Sequence, residues 1–344
     1  MSKAVQPGGY AHTDYDFKNP KTSLLAKAPF PRPHAHAEYE IFDYPGAYET
    51  FGDGDDCARR RIEALQAGHE RLSAEANARG AAVGGRFNLI EHPRDDQNRE
   101  YLITRATHRL HSDAFGTFPE LSEGPVYRGV FDCLPCQETY RPAQNTPKPT
   151  VQGPQTAVVV GPAGEEIHTD PYGRVKVQFH WDRYGRCDEN SSCWVRVAQV
   201  WAGKNWGAMH IPRIDQEVIV DFLEGDPDRP IITGRVYNAD QTPPWDLPGN
   251  KTQSGILSRS SKGGSGANAN ALRFEDKKGE EQLWLHAEKD QRIEVENNES
   301  HWVGHDRSKT VDHDETSHIK HDRSETVDHN ETITIHNNRT ERVD

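Results

Sequence analysis

The chain has 344 residues, and its 54 acidic against 41 basic side chains give a formal net charge of −13 at pH 7. Only 33% of the residues are hydrophobic, which argues against one compact core extending over the whole chain. The acidic balance disfavours nucleic acid as a partner, because phosphate binding depends on clustered Lys and Arg. No apolar run approaches about 18 residues and the start of the chain has no apolar segment, so the sequence predicts neither a membrane span nor a signal peptide.

The five cysteines do not form the pattern of a disulfide framework, and we expect them to be reduced. Cys133 and Cys136 make a lone C-x-x-C without a second pair at zinc-site spacing, so we interpret them as two small apolar residues beside a strand. Cys187 and Cys193 flank a polar loop and could approach each other, but the sequence does not show whether the bridging geometry exists.

Residues 1–140 predict a mixed α+β region. Apolar residues at helical spacing indicate one helix, with Asp55 and Asp56 capping its start and Gly80 ending it. The residues that carry this spacing are Ala58, Ile62, Leu65, His69, Leu72 and Ala76. Strands are predicted at 38–42, 86–91 and 100–110.

A small antiparallel barrel is predicted after a linker. Residues 141–154 contain four prolines, which typify an extended linker. Short alternating strands then fill 155–238, at 156–160, 174–181, 193–201, 216–223 and 230–237, and an OB-fold is the natural barrel of this size. Alternation along the second strand predicts a barrel-core face formed by Val175, Val177, Phe179 and Trp181.

Residues 239–290 are rich in Pro, Gly and Ser, which indicates a surface connection. They also contain a hairpin candidate, with strands at 272–274 and 282–286. Trp201, Trp206 and Trp245 either mark a ligand-binding face of the barrel or pack at its end, and we favour packing.

The last part of the chain, residues 291–344, repeats with a period of eight. The seventh position of every octad is β-branched, at Val295, Val303, Val311, Ile319, Val327, Ile335 and Val343. An eight-residue period drifts by about 80° per repeat around a helix, whereas a strand of about five residues plus a turn fits it. A disordered charged tail would fit the composition but would leave the period unexplained.

One reliably apolar residue in eight cannot form a core within a single chain. We therefore expect a homotrimer, in which three chains share one core and each contributes one face per octad to a thin prism. The β-branched series would form its core, and the overall fold class would be mainly β.

One position of the octads is histidine in four successive repeats, at His305, His313, His321 and His329. Stacked in three chains, these side chains could bind a transition metal or titrate at about pH 6. Solvated corner residues are the interpretation that we favour, so no metal is predicted.

The sequence predicts no enzyme and no cofactor. Acidic pairs such as Asp226 with Asp228, or Glu165 with Glu166, occur in turns, and no pattern places two carboxylates across a pocket. A nucleophile elbow of the form G-x-S-x-G does not occur, and the stretch between barrel and octads is too short for a hydrolase domain.

Four motifs resemble the VgrG family, the spike proteins at the tip of the bacterial type VI secretion system, which are similar to the hub and spike of contractile phage tails. The motifs are YGRVKVQFHWD at 172–182, SCWVRV at 192–197, GDPDRPIITGRVYN at 225–238 and GILSRSSKGG at 255–264. The resemblance implies a trimer with a hub domain, an OB-fold domain and an intertwined triple-stranded β-helix that tapers into a needle.

The resemblance also implies the partners and the location. These are an Hcp-like inner-tube hexamer at the hub side, a PAAR-like tip protein with effectors and adaptors at the needle side, and transient contact with a target membrane. Assembly would occur in the bacterial cytoplasm, followed by secretion through contraction to the outside or into a target cell.

Two departures from the family pattern concern the ends. Family hubs normally have a few hundred residues before the stretch that corresponds to 15–18, so residues 1–140 are expected to be the C-terminal part of a hub. The octads stop at residue 344 without a tip, so we expect a short family member or a chain lacking both ends.

The function expected from this resemblance is mechanical. The protein would cap a contractile tube, puncture the target envelope and carry effectors. The alternatives are an OB-fold ligand-binding module on a β-helical stalk, or a phage or tailocin tail spike with the same fold.

Substituting Val311→Asp together with Val327→Asp tests the assignment of the core. The double variant would bury unpaired charge on all three chains, so we expect the trimer to lose its resistance to SDS. An unboiled gel measures this, and an unchanged SDS-resistant band would contradict the inward position of these residues.

Overall fold

The computed structural model describes residues 1–111 and 126–343. The chain divides into two compact units. The first unit comprises Met1–Pro154 and Asp221–Ile231, and the second comprises Gln155–Val220 and Ile232–Asp344. Strands are the main regular element of the described residues, which confirms the predicted mainly β fold.

The first unit contains a helix and two sheets, with strand orders β1-β5-β8-β7-β6 and β3-β2-β4. A short 3-10 helix covers Asp95–Gln97. The elements are β1 (Ser2–Lys3), β2 (Gly9–His12), β3 (Ala26–Pro29), β4 (Glu40–Asp43), α1 (Phe51–Gln66), β5 (Glu70–Ala76), β6 (Arg86–Asn88), β7 (Glu100–Leu110) and β8 (Tyr127–Pro135). The three strands predicted here all correspond to observed strands. The strand predicted over 100–110 coincides with β7, whereas the other two differ from β4 and β6 at one or both ends.

Helix α1 packs on the smaller sheet through one apolar stripe. Thr50 caps its start, since its hydroxyl accepts a hydrogen bond from the Asp53 backbone N–H at 3.3 Å. Ala58 and Ile62, one turn apart, are buried against Tyr10 of β2 and Ala26 of β3. This stripe attaches the helix to the sheet, because a helix of this length is marginal without tertiary packing.

The predicted extent of the helix is wrong at both ends. The helix starts at Phe51, before the predicted caps Asp55 and Asp56, and it ends at Gln66. The following residues form β5, which pairs antiparallel with β8, with Leu72 opposite Cys133. Leu72 and Ala76 fit helical spacing and strand alternation equally well, so the pairing with a distant strand decided the outcome.

The larger sheet has a core formed by Tyr101 and Ile103 of β7 with Phe131 and Cys133 of β8. Burial raises the pKa of the Cys133 thiol to about 11. The pKa of Cys136, just after the strand, is also raised, mainly by burial. Protonated thiols of this kind pack as small apolar groups, because a thiolate is needed for metal binding or redox attack.

The second unit contains a five-stranded sheet in the order β10-β9-β14-β15-β11, a two-stranded hairpin and a three-stranded sheet. Its strands are β9 (Gln155–Val160), β10 (Lys176–Phe179), β11 (Arg196–Val197), β12 (Trp201–Gly203), β13 (Trp206–Ala208), β14 (Glu217–Phe222), β15 (Pro230–Val236), β16 (Gln253–Leu257), β17 (Ala271–Glu275) and β18 (Gln282–His286). Between β14 and β15 the chain forms the 3-10 turn Leu223–Gly225.

One strand of the predicted barrel is wrong. The prediction of a continuous strand over 193–201 fails, because the chain leaves the sheet after β11 and then forms the separate β12–β13 hairpin. The backbone N–H of Ala198 still donates to Ile232 of β15 at 2.8 Å, so the departure follows immediately. The hairpin expected at 272–274 and 282–286 corresponds to β17 and β18, and β16 adds a third strand beside β17.

A buried ion pair holds the 221–231 turn within the first unit. The Asp14 carboxylate has a fully buried side chain and accepts from Arg229 Nη2 at 2.6 Å. It also accepts from the backbone N–H groups of Tyr15 and Ala47, each at 2.7 Å. Burial alone would raise the pKa of Asp14, but these hydrogen bonds outweigh it and hold the pKa below its usual value.

Replacing Asp14→Asn is expected to destabilise the first unit by about 3 kcal/mol, because it leaves the Arg229 charge without its buried partner. Amide hydrogen exchange at β2 would measure the loss. The control Asp16→Asn alters an exposed carboxylate with local partners and should cost less than about 0.5 kcal/mol.

The Asp14–Arg229 pair also predicts the direction in which the stability of the fold changes with pH. A carboxyl whose pKa is lower in the folded state stabilises the fold at neutral pH and loses that contribution as the pH falls through the lowered pKa. The protection of the β2 amides against hydrogen exchange should therefore decline more steeply in acid for the wild-type chain than for the Asp14→Asn variant. Equal acid profiles would contradict the role of this pair.

Candidate trimer interface

The octads have a regular backbone pattern. Two-residue bends recur every eight residues, at 296–297, 304–305, 312–313, 320–321, 328–329 and 336–337. Six residues lie between one bend and the next, and each bend forms a corner of the chain. Among the described residues after His286 no strand is paired within the chain. The backbone N–H and C=O groups of these segments therefore need partners from outside the single chain or from water.

In the six octads up to Ile335, the β-branched residue immediately precedes a bend. From Val295 to Ile335 these side chains are 44–54% exposed, and Val343 at the end is 90% exposed. In one chain they contribute little to a core. Their role as the core of a trimer thus remains a prediction, which the repeated half-exposure of apolar side chains supports.

A second apolar surface precedes the octads. Strands β16, β17 and β18 place five apolar side chains on one sheet face, because Ile256, Leu272 and Leu285 share one register row and Phe274 and Leu283 share the next row but one. Four of them are 42–65% exposed. This face was not predicted from the sequence, although the alternation of Leu272 with Phe274 and of Leu283 with Leu285 was a usable signal.

The four octad histidines occupy corners. His305, His313 and His321 are each the second residue of a bend and are 91–92% exposed, and each Nδ1 lies 2.8–3.0 Å from the carboxylate of the next residue. His329 occupies the same position at the next bend. The described part of one chain contains no group of three or more potential metal ligands. A metal site would need histidines from several chains, and it remains a hypothesis.

The four residues predicted for the barrel core differ in their burial. Val175 and Val177 are fully buried and Phe179 is partly buried, whereas Trp181 is 67% exposed. Trp181 stacks on Phe179 with ring centroids 5.1 Å apart and donates from Nε1 to Gln155 at 2.8 Å. Its assignment to the core is wrong for the single chain, because β10 ends at Phe179 and the alternation does not continue past the strand.

The tryptophans of the β12–β13 hairpin contact each other. The rings of Trp201 and Trp206 meet edge to face at 5.2 Å, and both side chains are more than half exposed. Val200 and Met209, on either side of the hairpin, are 91% and 75% exposed. The hairpin therefore presents a small apolar surface.

The acidic pairs considered as catalytic candidates are held in ion pairs. Glu165 accepts from Lys262 Nζ at 2.7 Å, and Glu166 accepts from the Gly263 backbone N–H at 2.7 Å. The hydrogen bond from Gly263 lowers the pKa of Glu166. These contacts fasten the 258–264 loop, which carries the fourth family motif, within the second unit.

The other pair behaves similarly in the first unit. Lys148 Nζ lies 2.7 Å from Asp226 and 2.9 Å from Asp228. Burial of Asp226 opposes its ionisation, but the hydrogen bond from Lys148 prevails and lowers its pKa. Ionised carboxylates neutralised by a shared cation are suited to positioning a turn, whereas general acid–base catalysis requires a pKa near the working pH.

None of the helices in the described residues is long and apolar enough to cross a membrane. The longest helix of the described residues, α1, has 16 residues and carries charged side chains outside its buried stripe.

Comparison with protein families matches three successive parts of the chain. Residues 1–114 match the phage tail baseplate hub family, residues 156–237 match the type VI secretion system/phage-baseplate injector OB domain, and residues 254–344 match the bacteriophage T4 gp5 C-terminal trimerisation domain. The third match contains the β16–β18 sheet and all the octads.

Two curated relatives come from Pseudomonas aeruginosa. The type VI secretion system spike protein VgrG1b is 60% identical over 311 residues, covering 90% of this chain and 42% of the relative. VgrG1c is 59% identical over 311 residues, covering 90% of this chain and 43% of the relative. The chain thus spans about two-fifths of the length of these relatives.

A solved structure of an E. coli type VI secretion component, described as similar to the T4 phage tail proteins gp27 and gp5, covers 66% of this chain and 56% of its own, with 19% identity and a TM-score of 0.38. The sequence matches alone confirm the resemblance deduced from the four motifs. With hub, OB and trimerisation segments in order and such identity over nine-tenths of its length, the chain belongs to the VgrG family of type VI secretion spike proteins.

Proposed function

We propose that this chain forms the spike part of a contractile injection machine, in which three copies share one β-helical needle. The observation that carries the proposal is the octad segment, where bends of period eight set half-exposed β-branched residues at regular intervals. Its match to a trimerisation domain supplies the number of chains that would cover them.

The proposed function is mechanical. When three chains wind around each other, unfolding one requires opening contacts with both others, so forced opening should be slow and kinetically controlled. The apolar face of β16–β18 adds burial at the base of the needle, where the octads begin. A stiff and slowly unfolding needle is what puncturing an envelope requires.

The proposed partners follow the order of the matched domains. The hub-like residues would dock on an Hcp-like inner-tube hexamer, and the end of the needle would bind a PAAR-like tip protein, effectors and adaptors. The spike would assemble in the bacterial cytoplasm and leave through contraction of the machine. The curated relatives carry the names of type VI secretion spikes, which favours this machine over a phage or tailocin tail.

Absence of catalysis is part of the proposal for the residues spanned here. The carboxylate pairs that were candidates for acid–base work are engaged by Lys148, Lys262 and the Gly263 backbone. These contacts favour structural roles, because a general acid needs a raised pKa and the shifts at Glu166 and Asp226 have the opposite sign.

Light scattering of the purified chain tests the assembly. We expect a mass three times 38.8 kDa, together with a slow band on an unboiled SDS gel that boiling collapses. A monomer would contradict the shared needle. The exposed Trp201 and Trp206 pair would then favour the alternative of a ligand-binding barrel on a stalk.

A matched control separates inward from outward octad positions. Thr310 and Thr326 directly precede Val311 and Val327, so in an extended segment their side chains point to the opposite side. Thr310→Asp with Thr326→Asp adds the same charge as the double valine variant, yet it should leave the SDS-resistant trimer intact. Equal loss in both variants would contradict the assigned sidedness.

A further inference from the structure

The repeated octads do not by themselves fix how three chains align along a needle. Every octad presents a β-branched residue at its seventh position, so sliding one chain by eight residues leaves the apolar pattern unchanged. Burial fixes which side of a strand faces a core but does not distinguish one identical repeat from the next. Something other than the β-branched series must align three chains, if they assemble as proposed above.

The third position of the octads carries a charge whose sign alternates. From the octad that begins at Asn297 onward, this position is acidic and basic in turn through six octads. We call these six residues the register charges: Glu299, Arg307, Glu315, Arg323, Glu331 and Arg339. Three are acidic and three are basic, so the set is neutral.

The register charges lie on the same side of the chain as the β-branched residues. Each register charge precedes the β-branched residue of its octad by four positions, and an extended chain places positions that differ by an even number on one side. Three of the register charges also contact the residue two positions on. Arg323 lies 2.8 Å from Glu325, and Arg339 lies 3.2 Å from Glu341. Glu299 similarly pairs with His301 at 2.8 Å.

Exposure supports this sidedness. The side chains of Glu299, Glu315, Arg323 and Arg339 are 52–67% exposed, whereas the aspartates that directly precede three of the register charges, Asp306, Asp314 and Asp322, are 86–92% exposed. The register charges therefore lie on the more covered side, and when three chains close on that side they would lose more water than the aspartates opposite them. Partly desolvated charges interact more strongly than charges in bulk water.

Charges of successive octads also reach one another. Lys309 forms an ion pair with Glu315, although the 312–313 bend separates them. A charged side chain in one octad can therefore interact directly with a charged side chain in the next octad. This contact shows the reach that alignment between neighbouring octads requires.

In a three-fold symmetric trimer, the alternating sign of the register charges would place opposite charges of different chains next to each other. In the proposed trimer, equivalent octads of three chains would occupy the three faces of a prism at one height, and each bend would carry a chain to the next face. The octad adjacent along any face then comes from a neighbouring chain and is one repeat further on. Its register charge has the opposite sign, so each face carries a column of alternating charges.

We propose that the register charges set the axial alignment of the three chains. A slip of one octad places Glu beside Glu and Arg beside Arg along the faces, and like charges directly opposite each other on paired strands are destabilising. A slip of two octads restores the matching but leaves two repeats of the slipped chain without partners. The aligned trimer satisfies both conditions.

Rearranging the charges without changing their number tests the proposal in the full chain. Arg307→Glu with Glu331→Arg gives the order Glu, Glu, Glu, Arg, Arg, Arg, in which four of the five neighbouring pairs are alike; in the natural order all five are opposite. The control Arg307→Gln with Glu331→Gln removes the same two charges and creates no like pair. Both double variants keep the net charge of −13.

We expect the block variant to lose SDS-resistant trimer at least about tenfold faster than the glutamine control at a fixed temperature. The difference should shrink in about 1 M salt, where the screening length falls to about 3 Å. Equal rates for the two variants, or a difference that salt does not change, would overturn the proposal. A monomeric wild-type chain would overturn the proposed trimer itself, so the two failures are distinguishable.

Discussion

The scarcity of apolar side chains is the constraint on which this molecule depends. The octads provide one reliably apolar residue in eight, and from Val295 to Ile335 each of these residues is still about half exposed in the single chain. Burial is the main favourable contribution to folding, so a segment with so little to bury gains stability by sharing its core with other chains. The regular bends and the apolar face of β16–β18 are both suited to such sharing in the proposed trimer.

Charged residues compensate for this scarcity in each unit. Asp14 with Arg229 and Asp226 with Lys148 fasten turns in the first unit, and Glu166 with the Gly263 backbone fastens a loop in the second. Such pairs contribute position more than stability, because desolvation offsets much of the Coulomb attraction. In the proposed trimer, charged positions of the octads would likewise order the chains beside a small apolar core.

Prediction from sequence succeeded where one pattern had one structural solution. Strand β7 was predicted at its observed bounds, and Val175 and Val177 are buried as their alternation indicated. It failed where one spacing fitted two structures. Leu72 and Ala76 satisfy a helix and a strand alike, and Trp181 continues an alternation whose strand had already ended at Phe179.

The sequence by itself determined the period of eight, the side of the chain that is apolar, the order of the segments and the family, because these depend on local spacing and on long motifs. Only the tertiary structure decided that α1 ends at Gln66, that Trp181 is exposed, and that the acidic pairs hold turns. Each of these depends on a partner far away in sequence, whose position local spacing does not encode.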